Sequence, residues 1–183
     1  AFDAADEQYD LVSYMADGDH RGKFLHRSPD GVSRVVETAN DYAAVSTEKR
    51  TVIMKIHGAV DRAAAERDSY VITEDHYIDF LAHSDISGLI PVLLNMKMRK
   101  SHFLFLGYSL RDWNLRVILH RIWGERKLSY QSWAIQLDPQ RLDFLFWLKR
   151  DVEILPLPLE KYIKGLKANL PAILESWVKV ADK

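Results

Sequence analysis

The sequence predicts an α/β fold built on a doubly wound parallel sheet. Three observations carry that reading. From Val52 onward, apolar runs of strand length alternate with stretches at helical spacing. One run, Phe103–Leu106, is apolar without interruption, as expected of a parallel strand buried on both faces. It ends at Gly107 and leads into Ser109-Leu110-Arg111-Asp112, a hydroxyl and a carboxylate at capping-box spacing. Behind that box, Trp113, Val117, Ile118 and Ile122 recur at helical spacing. Ligands of open parallel sheets bind just outside the carboxyl ends of the strands. Gly107, which has no side chain, and the unpaired N–H groups of the next helix are therefore expected to face a polar or anionic ligand.

The elements follow in order. Phe2–Glu7 reads as the tail of a helix and Tyr9–Tyr14 as a strand, with a polar turn at Asp17–Gly22. Lys23–Arg27 and Val32–Glu37 are expected to pair as a hairpin, because Ser28-Pro29-Asp30-Gly31 between them is a strong turn sequence. Thr38–Arg50 is ambiguous. Val52–Ile56 is a strand ending in His57-Gly58, and the charged stretch Arg62–Asp68 is a loop. Thr73-Glu74-Asp75-His76 starts a helix that presents Tyr77, Phe80 and Leu81 on one face. A second helix is expected from about Ile86 to Met98, with Pro91 in its first turn. After the Phe103–Leu106 strand and its helix come a strand at Ser132–Leu137, a helix at Pro139–Lys149 and a short strand at Val152–Leu155. Leu159–Leu166 and Pro171–Val180 close the chain as two helices. Residues 1–183 are expected to form one domain. Residues 1–51 are its connecting segment, with the hairpin, and residues 52–183 its parallel-sheet core.

With 183 residues, the chain is long enough to bury a sizeable core. Its 25 basic and 26 acidic residues leave a net charge of -1, so no basic field argues for nucleic acid. No apolar run reaches transmembrane length. The chain has no cysteine, which excludes disulfides, thiolate zinc sites and a cysteine nucleophile, and fits a cytoplasmic protein. It begins at Ala1 in sequence that already reads as helical, and is expected to be a piece of a longer protein.

Three places could carry chemistry. His57 falls at the carboxyl end of a strand, where its imidazole can accept a proton from a hydroxyl or a water near neutral pH. The alternative is an ordinary histidine in a strand-to-helix loop. Gly107-Tyr108-Ser109 is read either as a ligand contact or as a close turn before a capped helix. Asp112 is explained as the carboxylate of the capping box, and Asn114 either hydrogen-bonds a ribose or faces solvent. His57 and Ser109 are expected on the wall of one cleft. The remaining histidines lack metal-site spacing, and even His76 and His83 with Asp79 are better explained as an exposed helix face, so no metal is expected. The five tryptophans, Trp113, Trp123, Trp133, Trp147 and Trp177, read as packing residues. The eight glycines form no Gly-x-Gly and no phosphate loop, with which a dinucleotide-binding sheet normally opens.

At these residues the chain resembles the sirtuin-like (silent information regulator-like) family of NAD-consuming, Rossmann-like domains. Within it, the chain looks most like the divergent bacterial branch found in multidomain anti-phage defence proteins. Lys55-Ile56-His57-Gly58 matches the family's Lys-x-His-Gly motif, and Phe103–Asn114 its Phe-Leu-Gly-Tyr-Ser-x-x-Asp-x-Asn motif. Phe2–Tyr14 is similar to the segment after its Thr-Asn-Tyr-Asp motif. Tyr70–Leu81 is similar to the helix that follows the histidine, and Trp133–Leu137 to its next strand.

The resemblance implies a Rossmann-like sheet, incomplete at its N-terminus and without a zinc module. It implies NAD as substrate, His57 as catalytic general base, and Gly58, Gly107, Tyr108, Ser109, Asp112 and Asn114 around the NAD pocket. The family's glycine-rich loop and catalytic asparagine would lie upstream of Ala1. The cysteine-bound zinc module of deacylating sirtuins has no counterpart here, which favours NAD hydrolysis, with release of nicotinamide and ADP-ribose, over protein deacylation. The alternatives are a non-catalytic NAD or ADP-ribose sensor and an assembly module whose last helices form an oligomer contact. Partners implied are NAD, other domains of the parent chain and a second copy of it, with neither nucleic acid nor membrane.

Overall fold

A computed structural model describes residues 2–37, 45, 47–61, 68–82, 90–124 and 130–181, without the side chains of Asp3, Leu81 and residues 176–181. The mixed α/β structure with parallel strands is consistent with the Rossmann-like class the sequence predicts. The chain divides into two compact units, Ala1–Arg99 and Lys100–Lys183.

The first unit is built on a four-stranded sheet of order β3-β2-β1-β4, with β1 at Tyr9–Tyr14, β2 at Phe24–Arg27, β3 at Ser33–Val36 and β4 at Thr51–Lys55. The hairpin forms as expected: β2 and β3 pair antiparallel, and Gly31 takes the positive φ of +84° that the turn requires. β1 is antiparallel to β2 and parallel to β4, in the register Tyr9↔Thr51 to Ser13↔Lys55. Alternation along β1 and β2 puts Val12, Tyr14 and Phe24 on one buried face. There Tyr14 meets Phe24 and Phe80 edge-on, with ring centroids 5.9 and 5.2 Å apart.

The same face holds a buried polar knot. Asp10 is fully buried, with Oδ1 2.8 Å from His26 Nε2 and Oδ2 accepting from Arg50 Nε at 2.9 Å. It ties β1 to β2 and to the entry of β4. After β4 the chain turns through Ile56-His57 into two short antiparallel strands, β5 (Gly58–Ala59) and β6 (Ser69–Tyr70). Helices α1 (Glu74–Ala82) and α2 (Val92–Met98) complete the unit. Thr73 starts α1, its Oγ1 accepting from His76 N at 3.2 Å.

The second unit has the order β7-β8-β9, all parallel, with β7 at Leu104–Leu106, β8 at Ser132–Gln136 and β9 at Val152–Pro156. Helices α3 (Trp113–Trp123), α4 (Arg141–Leu148) and α5 (Leu159–Ala181) follow the three strands in turn. Its core gathers Ile118, Leu119, Ile122 and Trp123 of α3, Ala134 and Ile135 of β8, Trp147 of α4, and Val152 and Ile154 of β9. Trp123 and Trp147 meet edge-on at 6.4 Å between ring centroids.

Several elements differ from the sequence reading. β4 joins the sheet of β1, and β7 belongs to a separate sheet of β8 and β9. β7 is not buried on both faces: Phe105 is buried, but Leu104 is 45% and Leu106 38% exposed. Trp113 opens α3 at 70% exposure, and the buried face of that helix begins at Ile118. Phe2–Glu7 contains only a short 3-10 turn, Asp3–Ala5. Pro91 stands at the N-cap of α2, one position before its first turn. The last two helices are one, α5, which runs through Pro171. Residues 167–175 of α5 are exposed, so the Lys167 carbonyl that Pro171 leaves without an intrahelical donor is open to water. The expected loop at 62–67, the start of the second helix at 86–89, His83 and most of the ambiguous Thr38–Arg50 stretch lie outside the described residues.

Candidate functional site

The three parallel strands of the second unit end together, and the segments after them form a pocket of about 410 Å³. Gly107, Tyr108 and Ser109 enter from the end of β7, Gln136, Leu137 and Asp138 from the end of β8, and Pro158, Leu159 and Glu160 from the start of α5. That volume is within the range of small-molecule sites. Gly107 is required by its backbone, at φ +68°; a Cβ there would meet only Leu159 Cδ2, at 3.6 Å.

The cap of α3 is Asp112, not Ser109. Asp112 Oδ1 accepts from Asn114 N at 2.8 Å and Leu115 N at 3.4 Å, whereas Ser109 Oγ accepts from Arg111 N at 3.3 Å. Two of the helix's first N–H groups are thus taken by the protein's own carboxylate, and the expectation that they face a ligand is corrected. Neither Asp112 nor Asn114 lines the pocket. Two residues three positions apart can each cap a helix; Leu110, fully buried, anchors the intervening turn and moves the start beyond Asp112.

Arg111 lines the pocket as well and ties its loop to α4. Its Nε donates to Asp143 Oδ2 at 3.0 Å, and Asp143 also accepts from Gln140 N at 3.1 Å. Arg116 Nη2 approaches Asp143 Oδ1 at 3.9 Å, and its Nε donates to Leu110 O at 2.8 Å. Burial pushes the Asp143 carboxyl up, but the hydrogen bonds from Arg111 and Gln140 and the charges of Arg111 and Arg116 outweigh it and hold the carboxyl below its ordinary value. A lowered folded-state pKa gives stability that is complete above the unfolded-state value of about 3.9 and is lost as pH falls through the folded-state value. The melting temperature of the wild type is therefore expected to fall more steeply below about pH 4 than that of Asp143→Asn. Parallel acid profiles in thermal melts would refute this role.

In the first unit, His57 sits in the turn leaving β4. Its imidazole packs edge-on against Tyr77 and Phe80 of α1, with centroids 5.5 and 5.1 Å away. Its carbonyl accepts from Val71 N at 2.8 Å, just beyond β6. Gly58 follows at φ +81°. A Cβ on Gly58 would overlap the Ser69 carbonyl oxygen and lie 2.8 Å from both Ser69 C and Tyr70 Cα. The turn is thus set by a backbone contact that only glycine permits.

Of the residues expected to act, Gly107, Tyr108 and Ser109 come together in one pocket, while His57 and Gly58 belong to the other unit. Sequence reasoning missed Gln136, Asp138 and Glu160, although the strand-end rule applied to β8 and β9 would have found them. It also missed Arg111 and Asp143, which stand 32 residues apart and are joined only by the fold. Among the described residues, no group of three or more His, Cys, Asp or Glu side chains is placed to hold a metal ion. His76 instead pairs with Asp17 at 3.2 Å, and Asp79 with Arg21. No described helix is long and apolar enough to cross a membrane.

A sheet of parallel strands, each followed by a helix, with a pocket at the strands' carboxyl ends, is the arrangement of a Rossmann-like α/β fold. The family model of the SIR2-like domain matches residues 13–155, and the chain belongs to that family. SIR2-like domains are sirtuin-like and generally use NAD as substrate. No curated protein matches the chain.

Proposed function

We propose that this chain is the C-terminal part of a sirtuin-like NAD hydrolase that acts in the cytoplasm as an effector of bacterial anti-phage defence. The observation that carries the reading is the pocket at the ends of β7, β8 and β9, lined by Gly107, Tyr108 and Ser109, in a chain of an NAD-using family. Rossmann-like sheets hold dinucleotides at such strand ends. In the proposed reaction a water oxygen bonds to C1′ of the nicotinamide ribose as the C1′–nitrogen bond breaks. The bonding pair leaves with nicotinamide, and ADP-ribose remains. His57 accepts the proton of the attacking water and releases it to solvent. Hydrolysis is favoured over deacylation because the chain has no cysteine from which to build a thiolate zinc module. The defence role rests on the resemblance of the chain, through its Lys55–Gly58 and Phe103–Asn114 motifs, to the divergent bacterial branch of the family.

One observation favours a second reading, a sensor that binds NAD or ADP-ribose without turnover: the His57 ring is packed against two aromatic rings of α1. Nicotinamide release decides between them. The full-length protein is expected to release nicotinamide, and His57→Ala to lower the rate at least about 10²-fold. The 183-residue chain alone is expected to be inactive. ADP-ribose binding without release would establish the sensor. Full activity in His57→Ala would remove His57 from the reaction, and robust turnover by the chain alone would overturn its reading as a part.

A further inference from the structure

Ser69 is joined to both sides of the turn that carries His57. It is 5% exposed, and its Oγ accepts from Ala16 N at 2.6 Å and from Asp17 N at 3.1 Å, just past the end of β1. These partners lie 53 and 52 residues away in sequence. Through its backbone the same residue pairs with Ala59, and its carbonyl is the atom that a Gly58 side chain would strike. Two residues on, Val71 N holds the His57 carbonyl. The second donor, Asp17, reaches α1 through its own side chain, Oδ1 lying 3.2 Å from His76 Nε2. Tyr77, the next residue, packs against the His57 ring. β5 and β6 are two residues each, too short to hold a turn by ladder bonds alone. One hydroxyl thus bolts that small ladder to the end of a strand of the main sheet.

We propose that Ser69 is a positioning residue for His57: its hydroxyl fixes β6 against the end of β1, and β6 fixes the turn in which the imidazole is presented. The inference rests on the reading of His57 as the general base of NAD hydrolysis. Removing the hydroxyl leaves the Ala16 and Asp17 N–H groups without their acceptor and lets the ladder move, and with it His57. A general base displaced by about 1 Å loses about 10²-fold in rate. The Gly107–Ser109 pocket belongs to the other unit, so NAD affinity is expected to change little.

The test compares wild type, Ser69→Ala, Ser69→Thr and Ser69→Cys in the full-length protein, with two readouts. Nicotinamide release gives kcat and KM for NAD; amide hydrogen exchange gives the protection of Gly58, Ala59 and Val71. Ser69→Ala is expected to lower kcat about 10²-fold with KM changed by less than about twofold, and to speed exchange at those three amides. Ser69→Thr, which keeps the hydroxyl, is expected to recover most of both. Ser69→Cys, a weaker acceptor of similar shape, is expected to fall between and replaces Ser69→Ala if that variant does not fold. Unchanged kcat in a folded Ser69→Ala or Ser69→Cys protein overturns the proposal, as does a fall confined to KM. So does failure of both Thr and Cys to recover any kcat in folded protein. If wild type releases no nicotinamide, the hydrolase reading fails by itself, and the exchange data still decide whether Ser69 orders the His57 turn: unchanged protection in the variants overturns it.

Discussion

Asp10→Ala is expected to destabilise the first unit by about 1–3 kcal/mol, the usual cost of leaving a buried polar group without its hydrogen-bond partner. The size follows from what the substitution strands. Asp10 is fully buried and serves two donors at once. Arg50 is 29% exposed at its side chain and can turn toward water. The His26 ring, 1% exposed on the middle strand of the hairpin sheet, cannot reach solvent without opening β1 from β2. Leaving it without its acceptor incurs the full desolvation penalty of a buried polar group. Asp10→Asn keeps one oxygen and is expected to fall between wild type and alanine. Urea unfolding of the three proteins, followed by far-UV circular dichroism, measures this. A loss below about 1 kcal/mol in Asp10→Ala would mean that the knot contributes little.

Gly58→Ala is the second large effect, about 2–5 kcal/mol, because two costs add. An L-residue at φ +81° costs about 1–2 kcal/mol, and forcing a methyl group into the Ser69 carbonyl costs about 1–3 kcal/mol more. Gly107→Ala is the control. Its φ is also positive, but its nearest neighbour stands at ordinary contact distance, so only the backbone cost applies. Hydrogen exchange at Ala59 and Val71 separates the two, since only Gly58→Ala should release the β5–β6 ladder. Wild-type protection there in Gly58→Ala would show that the backbone yields to the methyl group cheaply.

The elements legible in the sequence are those whose signals are local. Ser28-Pro29-Asp30-Gly31 turns the hairpin as its composition requires, and Tyr9–Tyr14 is a strand at its predicted limits. The alternation from Phe103 onward yields three parallel strands with their helices, and the glycine that ends the first does stand at a pocket. What escaped depends on partners distant along the chain. Nothing near Ser69 announces that its hydroxyl will meet Ala16 and Asp17, and Asp10 meets His26 only because β1 and β2 pair in one register. The apolar run Phe103–Leu106 predicts a strand buried on both sides, but a run specifies only what can be buried, not what covers it, and Leu104 and Leu106 are exposed. Ser109 and Asp112 show the same limit at shorter range: both residue types cap helices, and the burial of Leu110 chooses between them.

The edge-on pair of Trp123 and Trp147 has a spectroscopic consequence. All five tryptophans lie between Trp113 and Trp177, in the second unit, and residues 1–99 contain none. Intrinsic indole emission excited at the red edge is therefore blind to the unit that carries His57, Gly58, Ser69 and Asp10. A denaturation curve read by that emission follows Lys100–Lys183 alone, whereas backbone dichroism follows both units. Coincident midpoints in the two signals would mark a single cooperative transition. Where Asp10→Ala or Gly58→Ala shifts the indole curve as well, the shift measures the free energy by which one unit's folding depends on the other's.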